Sequence, residues 1–140
     1  MKTLSDKYKV ITFKENGDAR GQLVVVEGNR DIPFQIKRIF YIYGSDTDVT
    51  RGQHANRKTE FVLINLSGSS KVRIDDGVTE TVVELNEPNK GIFLSTMLWK
   101  DMYDFSEDSV LLVLASEHYD PDEYIRDYAA FTAEVKGQKQ

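Results

Sequence analysis

At 140 residues the chain has room for one domain with one core, since roughly 100–200 residues usually make a domain. A composition of 40% hydrophobic and 11% aromatic residues with three prolines excludes a disordered chain, and a formal net charge of −5 argues against nucleic acid as a general partner, because phosphate backbones demand a basic face. The absence of cysteine excludes disulfides, thiolate zinc sites and a thiol nucleophile and points to a reducing compartment, the cytoplasm; Met1 to Lys9 has no apolar run, so neither a signal peptide nor a membrane span is expected.

In chain order, short runs rich in Val, Ile, Phe and Tyr and bounded by Gly, Asn, Asp or Ser predict strands over residues 9–14, 21–27, 36–43, 60–67, 70–75, 79–84, 91–95 and 110–116. In the third, Arg38, Phe40 and Ile42 alternate with Ile39, Tyr41 and Tyr43, so both faces are expected to be mostly covered. Gly44 to Gly52 is the longest candidate loop, Gly68 with Ser69 marks a turn, and Asp75-Asp76-Gly77 is a tight hairpin signal. Asp120-Pro-Asp-Glu reads as a helix start, followed by a stripe of Tyr124, Tyr128, Phe131 and Val135 that packs on the outside of the sheet structure; residues 136–140 read as a frayed tail. Many short strands, one terminal helix and no internal repeat predict an all-β, antiparallel jelly-roll barrel with a C-terminal α-helix, in a single domain over residues 1–140.

The most unusual stretch is Thr50 to Glu60, which crowds polar and charged side chains around Gly52 just before a hydrophobic strand. His54 and Asn56 are two apart, a spacing that points both side chains to the same face of a strand, and into one pocket when that face is the barrel interior. His54-Ala-Asn56, then Glu60 and Gly68, resembles the first cupin motif with Asn56 in place of its second histidine; Gly91 to Lys100 lacks the proline and histidine of the second motif. His54 and Glu60 alone are too few ligands for a zinc, iron or manganese centre, so no metal is expected.

More of the chain carries a narrower resemblance. Ile32-Pro-Phe-Gln-Ile-Lys-Arg38, Tyr41, Arg51-Gly-Gln-His54-Ala, Gly91-Ile-Phe, Leu98-Trp99, Met102-Tyr-Asp104-Phe105, Leu112 to Ser116 and Tyr119 to Tyr128 together resemble the dTDP-4-keto-6-deoxyglucose 3,4-ketoisomerases, over roughly residues 8–131. The resemblance implies a metal-free, cofactor-free cupin homodimer that moves a ketone between C4 and C3 of a dTDP-linked 4-keto-6-deoxyhexose for surface polysaccharides such as lipopolysaccharide O-antigen. It makes His54 the first of two family acid–base histidines and places Asn56 where the second belongs.

Such a reaction removes a proton from C3, passes through an enediol and returns a proton at C4, so it needs groups that titrate near neutral pH; an amide donates and accepts hydrogen bonds but exchanges no proton at pH 7. Asn56 is therefore open to three readings: a substrate-trapping replacement, a natural branch in which His54 acts alone or with Tyr41 or Tyr43, or a cupin that binds the sugar nucleotide without turnover. Another sugar-nucleotide isomerase or epimerase is a further alternative.

Arg38 and Arg51 are candidates to hold the diphosphate or a sugar oxygen, against solvated surface arginines, because guanidinium forks pair with phosphate oxygens. By the resemblance, Arg20 touches the sugar or is a turn residue, and Lys100, where relatives carry histidine or arginine, orients the C4 side of the hexose or is a solvated lysine. Tyr41 and Tyr43 read as core or pocket wall in preference to acids, His118 as a surface residue, Asp46 to Asp48 as a solvated loop, and Glu60 as a partner of Arg57, Lys58 or water.

Overall fold

The computed structural model describes residues 3–138. A helical turn at Leu4–Asp6 leads into β1 (Tyr8–Thr12), then β2 (Glu15–Asp18) and β3 (Gly21–Val24). An extended segment, 25–37, precedes β4 (Arg38–Tyr43), β5 (Arg51–Asn56), β6 (Phe61–Ser67), β7 (Ser70–Asp75), β8 (Glu80–Leu85) and β9 (Lys90–Leu94). β10 (Trp99–Tyr103), β11 (Val110–Ala115), the short β12 (Tyr124–Ile125) and α1 (Tyr128–Gln138) complete the order. Two five-stranded antiparallel sheets result, β1-β9-β6-β11-β4 and β12-β5-β10-β7-β8, while β2 and β3 pair with each other. From β4 to β12 the chain changes sheets at every connection except β7 to β8, which builds the antiparallel jelly roll of the cupin type expected from the sequence.

Alternation along β6 decides what each face meets. Phe61 and Leu63 point between the sheets, joining Leu111 and Val113 of β11 and Val72 and Ile74 of β7. Val62 and Ile64 point the other way, where Phe13, Ile32 and Phe34 cover them. On the outer face of the second sheet, Ala55 and Trp99 are capped by Ile125, Phe131 and Val135. The central strands are thus buried on two faces, whereas on β4, expected to be covered on both, Ile39, Tyr41 and Tyr43 stay exposed; each fully buried large apolar side chain contributes about 1.5–3 kcal/mol.

The Asp75-Asp76-Gly77 hairpin forms as read: Gly77 adopts φ 94°, and Asp76 Oδ1 accepts from the backbone N–H groups of Val78 and Thr79 at 2.8 Å. Gly68 does turn the chain, but between sheets. Four strands escaped the sequence reading: β2, β5, whose first residues fall in the stretch taken as a loop, β10 and the short β12. The C-terminal helix starts later than expected. Asp120 accepts from Asp122 N–H at 3.0 Å, yet the turn it caps stops at Pro121–Glu123, because Tyr124 and Ile125 pair with Asn56 and Ala55 of β5. Asp127 is the working cap of α1, accepting from Ala130 N–H at 2.9 Å. Tyr124 is therefore not on the helix, and the buried stripe reduces to Phe131 and Val135. α1 runs on through Gln138, into the stretch read as a frayed tail; residues 139–140 lie outside the described residues.

Candidate active site

β5 reaches the barrel interior through a bulge. His54 is opposite Lys100 and Gly52 opposite Asp101, which leaves Gln53 unpaired; Gly52 and Gln53 take φ of 85° and 56°. Only glycine suits the first position, since a Cβ there would lie 2.8 Å from the Lys100 carbonyl oxygen. The bulge brings His54 Nδ1 to 3.0 Å from its own neighbour's carbonyl, Gly52 O. A carbonyl only accepts, so in the neutral ring Nδ1 carries the proton and Nε2 keeps the lone pair. Burial first, then the nearby positive charges of Lys100 and Arg126, pull the His54 pKa down to about 4 against the Gly52 hydrogen bond. At neutral pH the ring is an uncharged base, packed at 4.8 Å against Tyr124.

Asn56, two residues on, is buried and joins two charged groups. Its Oδ1 accepts from Lys100 Nζ at 3.2 Å, and its Nδ2 donates to Glu123 Oε2 at 2.5 Å. Burial works against ionisation of Glu123, but Thr59 Oγ1 at 2.6 Å, the Lys58 N–H at 2.8 Å, Asn56 and the Thr59 N–H at 3.1 Å overcome it and hold the carboxyl below its ordinary range. Lys100 is 4% exposed, with its Nζ 4.8 Å from the Phe61 ring centroid. Burial pulls its pKa down to about 7 despite the attraction of Glu123.

His54 and Lys100 line one cavity of about 440 Å³, with Phe61, Leu63, Met102 and Val113 as its apolar floor and the exposed Arg51 also on its wall. Of the two residues expected to look into one pocket, His54 lines the cavity, whereas Asn56 lies buried behind it and reaches it only through its hydrogen bond with Lys100. Lys100 is not the solvated lysine of the alternative reading but a buried one. Glu123 was not singled out from the sequence; its position in a helix-start pattern concealed that the turn aims it back at β5.

The remaining candidates are placed less uniformly. Tyr41 and Tyr43 border the cavity but expose 62% and 71% of their surface and stack on each other at 6.2 Å, so neither is core. Arg38 lies beside the cavity wall, its guanidinium 5.5 Å from the Phe40 ring centroid and 5.6 Å from that of Tyr119, with Nε and Nη2 buried and without a hydrogen-bond partner among the described residues. Arg20 is not on the cavity of its own chain: it sits at the β2–β3 turn, 90% exposed and paired to Asp18 at 2.6 Å, as its turn-residue reading required. His118, Asp46 and Asp48 are exposed. Glu60 does not pair with Arg57, which binds Glu134 at 2.8 Å; burial and the neighbouring Glu117 instead raise the Glu60 pKa. Among the described residues no three His, Cys, Asp or Glu side chains gather as a metal site. The donors beside His54 are an amide already engaged on both sides and an ammonium group, a set that does not fit the metal of other cupins.

Residues 6–136 match the family described as FdtA: WxcM-like, C-terminal. The chain belongs to this family. Within it, the TDP-4-oxo-6-deoxy-alpha-D-glucose-3,4-oxoisomerase of Aneurinibacillus thermoaerophilus is 46% identical over 123 residues, 88% of either chain. QdtA, a sugar 3,4-ketoisomerase from Thermoanaerobacterium thermosaccharolyticum solved in complex with TDP, is 44% identical and superposes with a TM-score of 0.92 over 96% of this chain and 98% of its own. A histidine-to-asparagine mutant of QdtA, solved with TDP-4-keto-6-deoxyglucose, superposes with the same TM-score, 0.92, at 44% identity over 94% of this chain and 96% of its own.

Proposed function

We propose that the chain is a 3,4-ketoisomerase that moves the keto group of dTDP-4-keto-6-deoxyglucose from C4 to C3. The observation that carries this is the juxtaposition of a neutral imidazole, His54, and a buried amine, Lys100, on one sugar-sized cavity in a chain of this family. Nε2 of His54 has the lone pair needed to take the C3 proton and return it at C4, and the cations on the cavity stabilise the negative charge that develops on the C4 oxygen as the enediol forms. Arg51 on the cavity wall and the buried Nε and Nη2 of Arg38, without a hydrogen-bond partner among the described residues, supply charge for the diphosphate.

The wider setting follows the same reading. The single domain works as a homodimer: β4 is an edge strand and exposes Ile39, Tyr41 and Tyr43, an apolar row suited to a second copy. The cysteine-free composition supports a cytoplasmic location, where the product enters deoxysugar synthesis for surface polysaccharides; the acidic net charge speaks against nucleic acid as a partner.

Incubation with dTDP-4-keto-6-deoxyglucose in deuterated water, followed by NMR, tests the activity. Conversion to the 3-keto isomer with deuterium at C3 or C4 is expected, together with loss of turnover by about 10²–10⁴-fold in His54→Asn. A second reading rests on Asn56: with an amide there, the chain holds the sugar nucleotide without converting it. Tight binding with neither product nor deuterium exchange decides for that reading.

A further inference from the structure

Resting on the ketoisomerase reading, we propose that Lys100 is the second acid–base residue of this active site, carrying the oxygen protons of the reaction while His54 carries the carbon proton. The structure gives His54 a companion of a specific kind. Lys100 is the buried ionisable group that shares the cavity with His54, directly opposite it across the β10–β5 pair. It is 4% exposed, and its amine is oriented by one acceptor, Asn56 Oδ1, and by the face of Phe61. One proton of an ammonium satisfies Asn56; the others remain for a ligand in the cavity. The titratable groups that face it are the neutral His54 from β5 and the carboxylate of Glu123 from the turn before β12, with the charged Arg126 beyond His54. Glu123 is already saturated by Thr59, Lys58 and Asn56, and so does not lock the amine into a direct ion pair. Burial leaves the amine able to hold or release a proton near pH 7, as the role needs.

The proton inventory closes without any other reactant. As His54 Nε2 takes the proton from C3, the Lys100 ammonium gives one to the C4 carbonyl oxygen, which yields the neutral enediol, an imidazolium and a free amine. The amine then takes the proton from the C3 hydroxyl as the imidazolium returns its own to C4. The C3 oxygen becomes the carbonyl, the C4 oxygen the hydroxyl, and both residues end as they began. Neither step asks Asn56 to exchange a proton; its part is to hold the amine in place.

The arrangement also says what would compensate for losing Lys100. Position 56 touches both Glu123 and Lys100, so a histidine there would be an acid–base group steadied by a carboxylate. The test is a double-mutant cycle of Lys100→Arg, Asn56→His and the pair, assayed on dTDP-4-keto-6-deoxyglucose with TDP affinity measured in parallel. Arginine keeps the charge but cannot give up its proton. Lys100→Arg is expected to lose at least 100-fold in kcat with TDP affinity within threefold of the parent, and Asn56→His added to it is expected to recover at least tenfold. In Lys100→Ala, methylamine should restore turnover saturably, which a purely structural role would not allow. Should Lys100→Arg keep kcat within threefold, or should neither histidine at position 56 nor methylamine rescue the folded, TDP-binding variants, Lys100 is not the acid–base residue. An unaltered chain that binds TDP but neither converts the sugar nor exchanges its protons overturns the ketoisomerase reading itself, and the role of Lys100 with it.

Discussion

Asn56 and Glu123 meet in the interior at 2.5 Å, the amide donating to a carboxylate that is 4% exposed and already takes three other hydrogen bonds. The contact ties the chemically active strand β5 to the turn before β12 and thereby fixes the face of position 56 toward Lys100. Removing the carboxylate would strand the N–H groups of Lys58 and Thr59, the Thr59 hydroxyl and the Asn56 amide in a dry site. Glu123→Ala is accordingly expected to lower unfolding free energy by about 3–5 kcal/mol, and Glu123→Gln by less, because the amide oxygen still accepts. Urea denaturation at pH 7 measures both.

The acid limb of stability should separate two groups of this site. His54 has its pKa lowered to about 4 from an ordinary 6.5, so between those values the unfolded chain binds the extra proton and stability falls as pH drops. Glu123 is held below its ordinary 4.5, so its contribution is intact above that value and is lost as pH falls further. Denaturation midpoints measured from pH 7 to 3 should therefore decline in two stages. His54→Asn should flatten the stage between about pH 6.5 and 4, and Glu123→Gln the stage below 4.5.

The division between what the sequence disclosed and what it hid follows the chemistry. β6, β7 and β11 were legible because their residues alternate or run apolar, and burial on two faces is the only arrangement that satisfies Phe61 to Ile64. β5 and β10 were not, since Gly52, Gln53, His54 and Asn56 are poor strand formers and Lys100 and Asp101 break the apolar pattern. Those two strands carry the site, and a site needs polar groups inside, so the local rules fail where function begins. That His54 and Asn56 share the inner face of β5 was readable from their spacing, but not that only His54 would line the cavity. The partnership of Asn56 with Glu123 was not, because 67 residues separate them and the Asp-Pro-Asp-Glu cap reads equally well as a helix or as the aborted turn it is.

Gly52 gives a sharp test of the bulge. Its φ of 85° already disfavours a side chain, and a Cβ would crowd Lys100 O at 2.8 Å and Met102 Cε at 3.1 Å. Gly52→Ala should cost about 1–3 kcal/mol of stability. Because the Gly52 carbonyl sets the His54 tautomer and the displaced backbone belongs to Lys100, kcat should fall by far more than the loss of folded protein explains, on the order of 10²-fold for a misplacement of about 1 Å. Turnover and thermal unfolding of the same preparation, compared below its transition, check this.

Lys100→Met should move stability and activity in opposite directions. A lysine held near pH 7 in the fold, against an ordinary 10.5, takes up less proton than the unfolded chain between those values, so native stability from this group rises with pH across that window. Methionine removes a desolvated amine and keeps an unbranched chain beside Phe61, and Asn56 Oδ1 loses a single hydrogen bond in return. The variant is expected to be more stable than its parent by about 1–4 kcal/mol at pH 7, to show a flatter stability profile from pH 7 to 10.5, and to turn over little or no sugar. Urea titrations at several pH values measure the first two. A parent-like slope between pH 7 and 10.5 in Lys100→Met would mean that the amine is ordinary, and that the buried position of Lys100 costs the fold nothing.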